Sequence, residues 1–137
     1  MSWFFSNNSD TKFYYEYTGA MQKKMIEKHY SPRVNSVDRG YQILDWESED
    51  AHLGRFNALT DQLDLSGLSI LDVGCGLGDL YGFIRDKEID AAYTGIDILD
   101  DMVNEAGRRY PDASFLSGDM FSHEIFSKGE YDVVYSS

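Results

Sequence analysis

The residues with the most chemical meaning lie between Asp72 and Asp79. In the run Asp72-Val73-Gly74-Cys75-Gly76-Leu77-Gly78-Asp79 three glycines alternate and a carboxylate stands at each end. Glycine has no Cβ, so a bend through Gly74, Gly76 and Gly78 lets bare backbone approach a ligand closely. A helix that starts just after such a bend presents N–H groups and a positive dipole, which favour a negative group. Asp72 and Asp79 add the opposite preference, for an ammonium or a sulfonium. Cys75, the only cysteine, fills the first position between the glycines. It reads as packing and not as a nucleophile, because no histidine is placed to activate it.

The spacing separates two kinds of ligand. A dinucleotide fingerprint reads G-x-G-x-x-G, its third glycine packing helix onto strand. Here the pattern is G-x-G-x-G, and Asp79 occupies the place of that third glycine. An anionic side chain there is a poor neighbour for a pyrophosphate. Further on, Gly95-Ile96-Asp97-Ile98 ends an apolar segment. Asp97 follows the glycine loop by about the 20 residues expected of an acid that holds a ribose in a βαβ unit. Two vicinal hydroxyls call for a double acceptor, which a carboxylate supplies. The alternative is an ordinary turn aspartate. Ser117-Gly118-Asp119-Met120 closes a third apolar segment, although Gly-Asp also marks turns.

These groups need strands and helices to hold them. Residues 68–73 form a short apolar run suited to a buried parallel strand, and a helix is expected from about 79 to 87 with Leu80, Phe83 and Ile84 on it. A second strand is expected over 91–97, a helix over 100–109 with Met102, Val103 and Ala106 inward, a third strand over 113–116 and a fourth over 131–135. A short helix or turn is expected between the last two, over 121–128, with His123 at the surface. Upstream, a helix is expected over 11–29, with Phe13, Tyr17, Met21 and Met25 at intervals of four, and a break at Ser31-Pro32. The cluster Phe13-Tyr14-Tyr15-Glu16-Tyr17 reads as a packing face ahead of a ligand lid. Residues 1–10, with Trp3-Phe4-Phe5, are expected to fray. A helix over 36–46 would carry Val37, Tyr41 and Leu44 on one side and Asp38 as its cap. Another over 48–64 would start at Ser48 and bury Leu53, Phe56, Leu59 and Leu63.

Together, Leu-Asp-Val-Gly-Cys-Gly-Leu-Gly and the ordered elements after it resemble the class I S-adenosylmethionine-dependent methyltransferases. The resemblance covers residues from about 48 to 137 and implies an α/β, three-layer Rossmann-like sandwich with parallel strands in the order 3-2-1-4, preceded by an N-terminal helical extension. The expected division is residues 1–65 for the extension and 66–137 for the Rossmann-like half. S-adenosylmethionine is the implied cofactor. The backbone of Gly74, Cys75, Gly76 and Gly78 would approach it, Asp97 with Ile98 would lie at the ribose, Asp119 and Met120 would hold the adenine, and Asp72 and Asp79 would lie near the methionine end. In resembling enzymes a residue from the region of Arg55 can reach the methionine carboxylate; a solvated charge is the preferred reading of that side chain. The family continues beyond a fourth strand, so a truncated domain is expected here, with no catalytic residue assigned and the fourth-strand edge open to self-association into a homo-oligomer.

Composition narrows the partners. The 137 residues hold 24 acidic against 12 basic side chains, a net charge of −12. Phosphate backbones require Lys and Arg, so a nucleic-acid partner is disfavoured and the methyl acceptor is expected to be a small molecule or a protein. One cysteine and no signal-peptide pattern point to a cytoplasmic protein, and no apolar run nears the ~20 residues of a membrane span. The scattered histidines and single cysteine do not suggest a metal site. The rival readings are a non-catalytic module that binds a nucleoside cofactor or self-associates, and a NAD-binding domain, which Asp79 disfavours.

Overall fold

The computed structural model describes residues 9–34, 48–120 and 130–136, with α1 side chains from Met21 onward. In chain order the elements are α1 (Ser9–Val34), α2 (Glu49–Gln62), β1 (Ser69–Val73), α3 (Asp79–Asp86), β2 (Ala92–Asp97), α4 (Asp100–Arg109), β3 (Ser114–Ser117) and β4 (Val133–Ser136). The four strands form one parallel sheet in the order β3-β2-β1-β4, flanked by helices. This is the architecture that the sequence implied, with a strand order that reverses direction at β1, between β2 and β4.

Alternation along β1 sorts the core. Ile70 and Asp72 point to one face and Leu71 and Val73 to the other. On the first face Ile70 packs with Phe56 of α2, Leu80 and Ile84 of α3 and Tyr93 of β2. On the second, Leu71 and Val73 pack with Ile96, and Met120 and Tyr131 border them. Burial on both sides is why β1 reads as a nearly continuous apolar run. Asp72 is the exception, a carboxylate only 3% exposed.

Ser48 caps α2, its hydroxyl accepting from the Ala51 N–H at 3.1 Å. Along that helix Phe56 is buried and Leu53 and Leu59 pack beside it. Leu63, expected inside, is instead 39% exposed, because the helix ends at Gln62 and Leu63 turns to extended backbone. α1 also departs from expectation. It continues through Pro32 to Val34, since a proline in the last turn removes only one backbone donor. Its packing stripe is Val34, which is buried, with Ile26 and Tyr30 half-buried, docked on Leu77, Leu99 and Met102, whereas Met21 and Met25 are exposed. The four-residue interval is right and the face is not. The helix expected over 36–46, the segment 121–128 with His123, Trp3-Phe4-Phe5 and the side chains of the 13–17 aromatic cluster lie outside the described residues.

Among the described residues no helix is long and apolar enough to cross a membrane, and no group of three or more His, Cys, Asp or Glu is placed to hold a metal ion.

Candidate functional site

Parallel strands bring their C-terminal ends to one edge of the sheet, and Asp97 ties three of those ends together. The loop after β1 hangs from β2, because the Ile96 carbonyl accepts from Gly74 N–H at 2.8 Å and Cys75 N–H at 3.0 Å. Asp97 Oδ2 accepts from Gly76 N–H at 2.9 Å, and its Oδ1 accepts from Leu99 N–H at 2.9 Å. The Asp97 carbonyl accepts from Gly118 N–H at 2.9 Å, which pins the loop after β3. Burial raises the Asp97 pKa, and the backbone donors at Leu99, Gly76 and Ile98 oppose that rise. Each oxygen of an ionised carboxylate has room for a further donor. Asp97 is thus half-occupied by the fold and still able to receive hydroxyls.

Gly74, Gly76 and Gly78 all have positive φ, at 76°, 53° and 79°. A side chain at those angles would be strained, so the loop's shape requires its glycines. They do not play equal parts. Gly78 sits under the Phe115 and Tyr110 rings, whereas a Cβ at Gly74 would meet nothing within 4 Å. Gly74 is the exposed one, where a ligand can lie on bare backbone. Cys75 is buried, and burial pushes its thiol pKa up. It remains a thiol packed beside Gly95, in keeping with a structural part.

On the first face of the sheet a small cleft opens between α2, the glycine loop and the start of α3. It is lined by His52, Arg55 and Phe56 from α2 and by Asp72, Gly74, Cys75, Asp79 and Leu80. It is narrow, with enclosed space for little more than a water molecule, and it opens to solvent,. Asp72 Oδ2 accepts from the Tyr93 hydroxyl at 2.6 Å. Burial, above all, pushes the Asp72 pKa up to about 6; Tyr93 opposes the shift, Asp97 adds to it, Arg55 opposes it and Asp79 adds to it. Asp79 opens α3 and is bonded to His52, with Oδ2 3.1 Å from Nε2.

The structure therefore brings Asp72, Gly74, Cys75 and Asp79 into one cleft, and Gly76, Asp97 and Gly118 into one hydrogen-bonded junction beside it. Asp119 is exposed one residue beyond Gly118. Met120 is half-buried against Leu71, Val73 and Ile96, and Ile98 packs on Leu77, Leu99 and Met102. Two residues of the cleft escaped the sequence reading. His52 is 5% exposed and was not singled out. Arg55, for which a solvated charge was the preferred reading, is half-buried in the cleft wall. The signal available was spacing: His52 lies four residues before Phe56, on the stripe that faces the sheet.

Comparison with known proteins agrees with this geometry. The methyltransferase-domain family matches residues 70–137. Malonyl-[acyl-carrier protein] O-methyltransferase of Acetivibrio thermocellus is 32% identical over 120 residues, covering 85% of this chain and 40% of that protein. A phthiotriol/phenolphthiotriol dimycocerosates methyltransferase of Mycobacterium tuberculosis is 30% identical over 95 residues, covering 64% of this chain and 33% of that protein. Among solved structures, a TehB-like SAM-dependent methyltransferase from Corynebacterium glutamicum aligns with a TM-score of 0.51 at 25% identity, over 60% of this chain and 43% of that one. The chain spans about 40% of the length of the curated relatives it matches.

Proposed function

Because residues 70–137 belong to the class I S-adenosylmethionine-dependent methyltransferases, we propose that this chain is the cofactor-binding portion of such an enzyme, serving methyl transfer to a small-molecule or protein nucleophile. The observation that carries the reading is the junction at Asp97, where one residue fixes the loops after β1, β2 and β3 around a single carboxylate. S-adenosylmethionine supplies a methyl group already activated as a sulfonium. The chain's residues then have the tasks of binding and alignment.

The donor set fits that cofactor. Asp97 would accept from the ribose hydroxyls, and the open backbone at Gly74 would lie against the ligand. Asp119 would accept from the adenine amino group, with the Met120 backbone at the ring and Ile98 beside the ribose. The Gly76 and Gly78 backbone shapes the loop. The cleft with Asp72, Cys75, Asp79 and Arg55 would take the methionine end, its acids facing the ammonium and sulfonium and its guanidinium the carboxylate. The division into an extension over residues 1–65 and a Rossmann-like half over 66–137 belongs to the proposal too, with α2 lending a wall of the cleft from the extension's side. Two features leave room for both classes of acceptor. The Acetivibrio relative's name gives malonyl on an acyl-carrier protein, a small acid carried by a protein. The net charge of −12 also disfavours a nucleic acid,.

Calorimetric titration of the 137-residue chain with S-adenosylmethionine, S-adenosylhomocysteine and NADH tests the reading. Binding of the first two and not of NADH is expected. Asp97→Ala is expected to weaken S-adenosylhomocysteine at least about tenfold, the loss of a charged hydrogen bond. Unchanged affinity in that variant would remove Asp97 from the site.

A further inference from the structure

His52 is a nearly buried imidazole with two polar neighbours of fixed character. Its Nε2 lies 3.1 Å from Asp79 Oδ2, and its Nδ1 lies 3.4 Å from Arg55 Nη2. A guanidinium can only donate and an ionised carboxylate can only accept. These two neighbours suit the tautomer with the lone pair on Nδ1 and the proton on Nε2,. The ring is held edge-on against Phe56, with centroids 5.0 Å apart and planes at 71°, and Arg55 lies 5.7 Å above the same Phe56 ring. α2 thus carries a guanidinium and an imidazole whose order along the cleft wall is fixed, and the imidazole reaches over to the first residue of α3. The His52 bond occupies Asp79 Oδ2 and not Oδ1.

We propose that His52 is a positioning residue for the amino-acid end of the cofactor, which holds the Asp79 carboxylate in place for an ammonium while spacing it from the Arg55 guanidinium. The inference rests on the cofactor reading above and adds a residue and a tautomer to it. Without His52, Asp79 would lose the side-chain hydrogen bond that orients it. With it, Asp79 and Arg55 keep a set order along the cleft wall, with Asp72 as a second acid below them, an arrangement that suits a zwitterionic α-amino acid and not a nucleoside alone. Preorganisation of this kind raises affinity by removing the cost of ordering the side chain on binding.

Two ligands separate positioning from general structure. S-adenosylhomocysteine carries the amino-acid group and 5′-methylthioadenosine lacks it. His52→Ala is expected to weaken the first at least about tenfold and to leave the second within about twofold. His52→Gln, which retains a side-chain N–H donor, is expected to recover most of the loss. Equal weakening of both ligands, or of neither, would overturn the inference while the cofactor reading stands. A wild-type chain that binds neither ligand would overturn both. Should His52→Ala fail to fold, His52→Leu, which fills the space without an N–H donor, carries the same comparison. The wild-type chain also gives a ligand-free readout: long-range proton–nitrogen correlation spectra are expected to show His52 as the Nε2–H tautomer, and an Nδ1–H form, which cannot donate to Asp79 through Nε2, would overturn the inference.

Discussion

Asp72 is a carboxylate that folding takes out of water,. Its carboxylate is buried under β1 and bonded to the Tyr93 hydroxyl, with Asp97 and Asp79 near enough to oppose its charge. The pKa rises from 3.8 to about 6, so between these values the folded chain binds more protons than the unfolded one. Stability from this group then falls as pH rises through that window, and the loss is complete above about pH 6. A shift of about two units corresponds to roughly 3 kcal/mol. Asp72→Asn keeps an acceptor for Tyr93 and cannot ionise. Its melting temperature is expected to fall less than the wild type's between about pH 4 and about pH 7. Superimposable pH profiles would show that Asp72 does not titrate in that window. The acids at fixed offsets from the glycines, Asp72, Asp79 and Asp97, were legible in the sequence because a βαβ unit fixes where strand ends and helix starts fall. His52 and Arg55 were not, because they reach the site across a tertiary contact from a helix that precedes the unit.

Element boundaries followed the same logic. α4 spans residues 100–109 as read, and the four strands lie within two residues of expectation at either end, since period and glycine turns are local signals. The face of α1 was not local. Val34 is buried, and Ile26 and Tyr30 half-buried, only because Leu77, Leu99 and Met102 meet them. The fit of one strand on its neighbours was equally hidden. Gly95 pairs with Asp72 on one side and Phe115 on the other. A Cβ there would stand 2.9 Å from Cys75 Cβ and Sγ and from a Phe115 ring carbon. Those neighbours belong to the glycine loop and to β3, so neither can withdraw without disturbing the site. Gly95→Ala is expected to destabilise the chain by about 1–3 kcal/mol through overpacking, read from urea unfolding, and to weaken S-adenosylhomocysteine as the loop shifts. A variant as stable as wild type would mean that Cys75 and Phe115 yield easily.

At the scale of the whole chain, charge and an open sheet edge pull in opposite directions. Among the described residues β4 is bonded on one side only, to β1. Its register is locked by Asp132, whose Oδ2 accepts from Ser69 N–H at 2.8 Å and from the Ser69 hydroxyl at 2.7 Å, while Asp132 N–H returns a bond to the Ser69 carbonyl. A strand edge unpaired among the described residues is a template for pairing, and Val134 on it is 63% exposed. Self-association of the 137-residue chain through this edge would use a two-fold axis, which lets the same edge meet itself,. The net charge of −12 on each copy repels that approach,. Salt screens the repulsion, with a Debye length of about 30 Å at 0.01 M falling to about 8 Å at 0.15 M. Light scattering on the 137-residue chain is therefore expected to give a mass that rises with protein concentration, and rises more steeply in the higher salt. Val134→Glu places a charge on the short edge strand and is expected to return the chain to a monomer without lowering its affinity for S-adenosylhomocysteine. A wild-type chain that stays monomeric at both salt concentrations would show that the β4 edge does not mediate self-association.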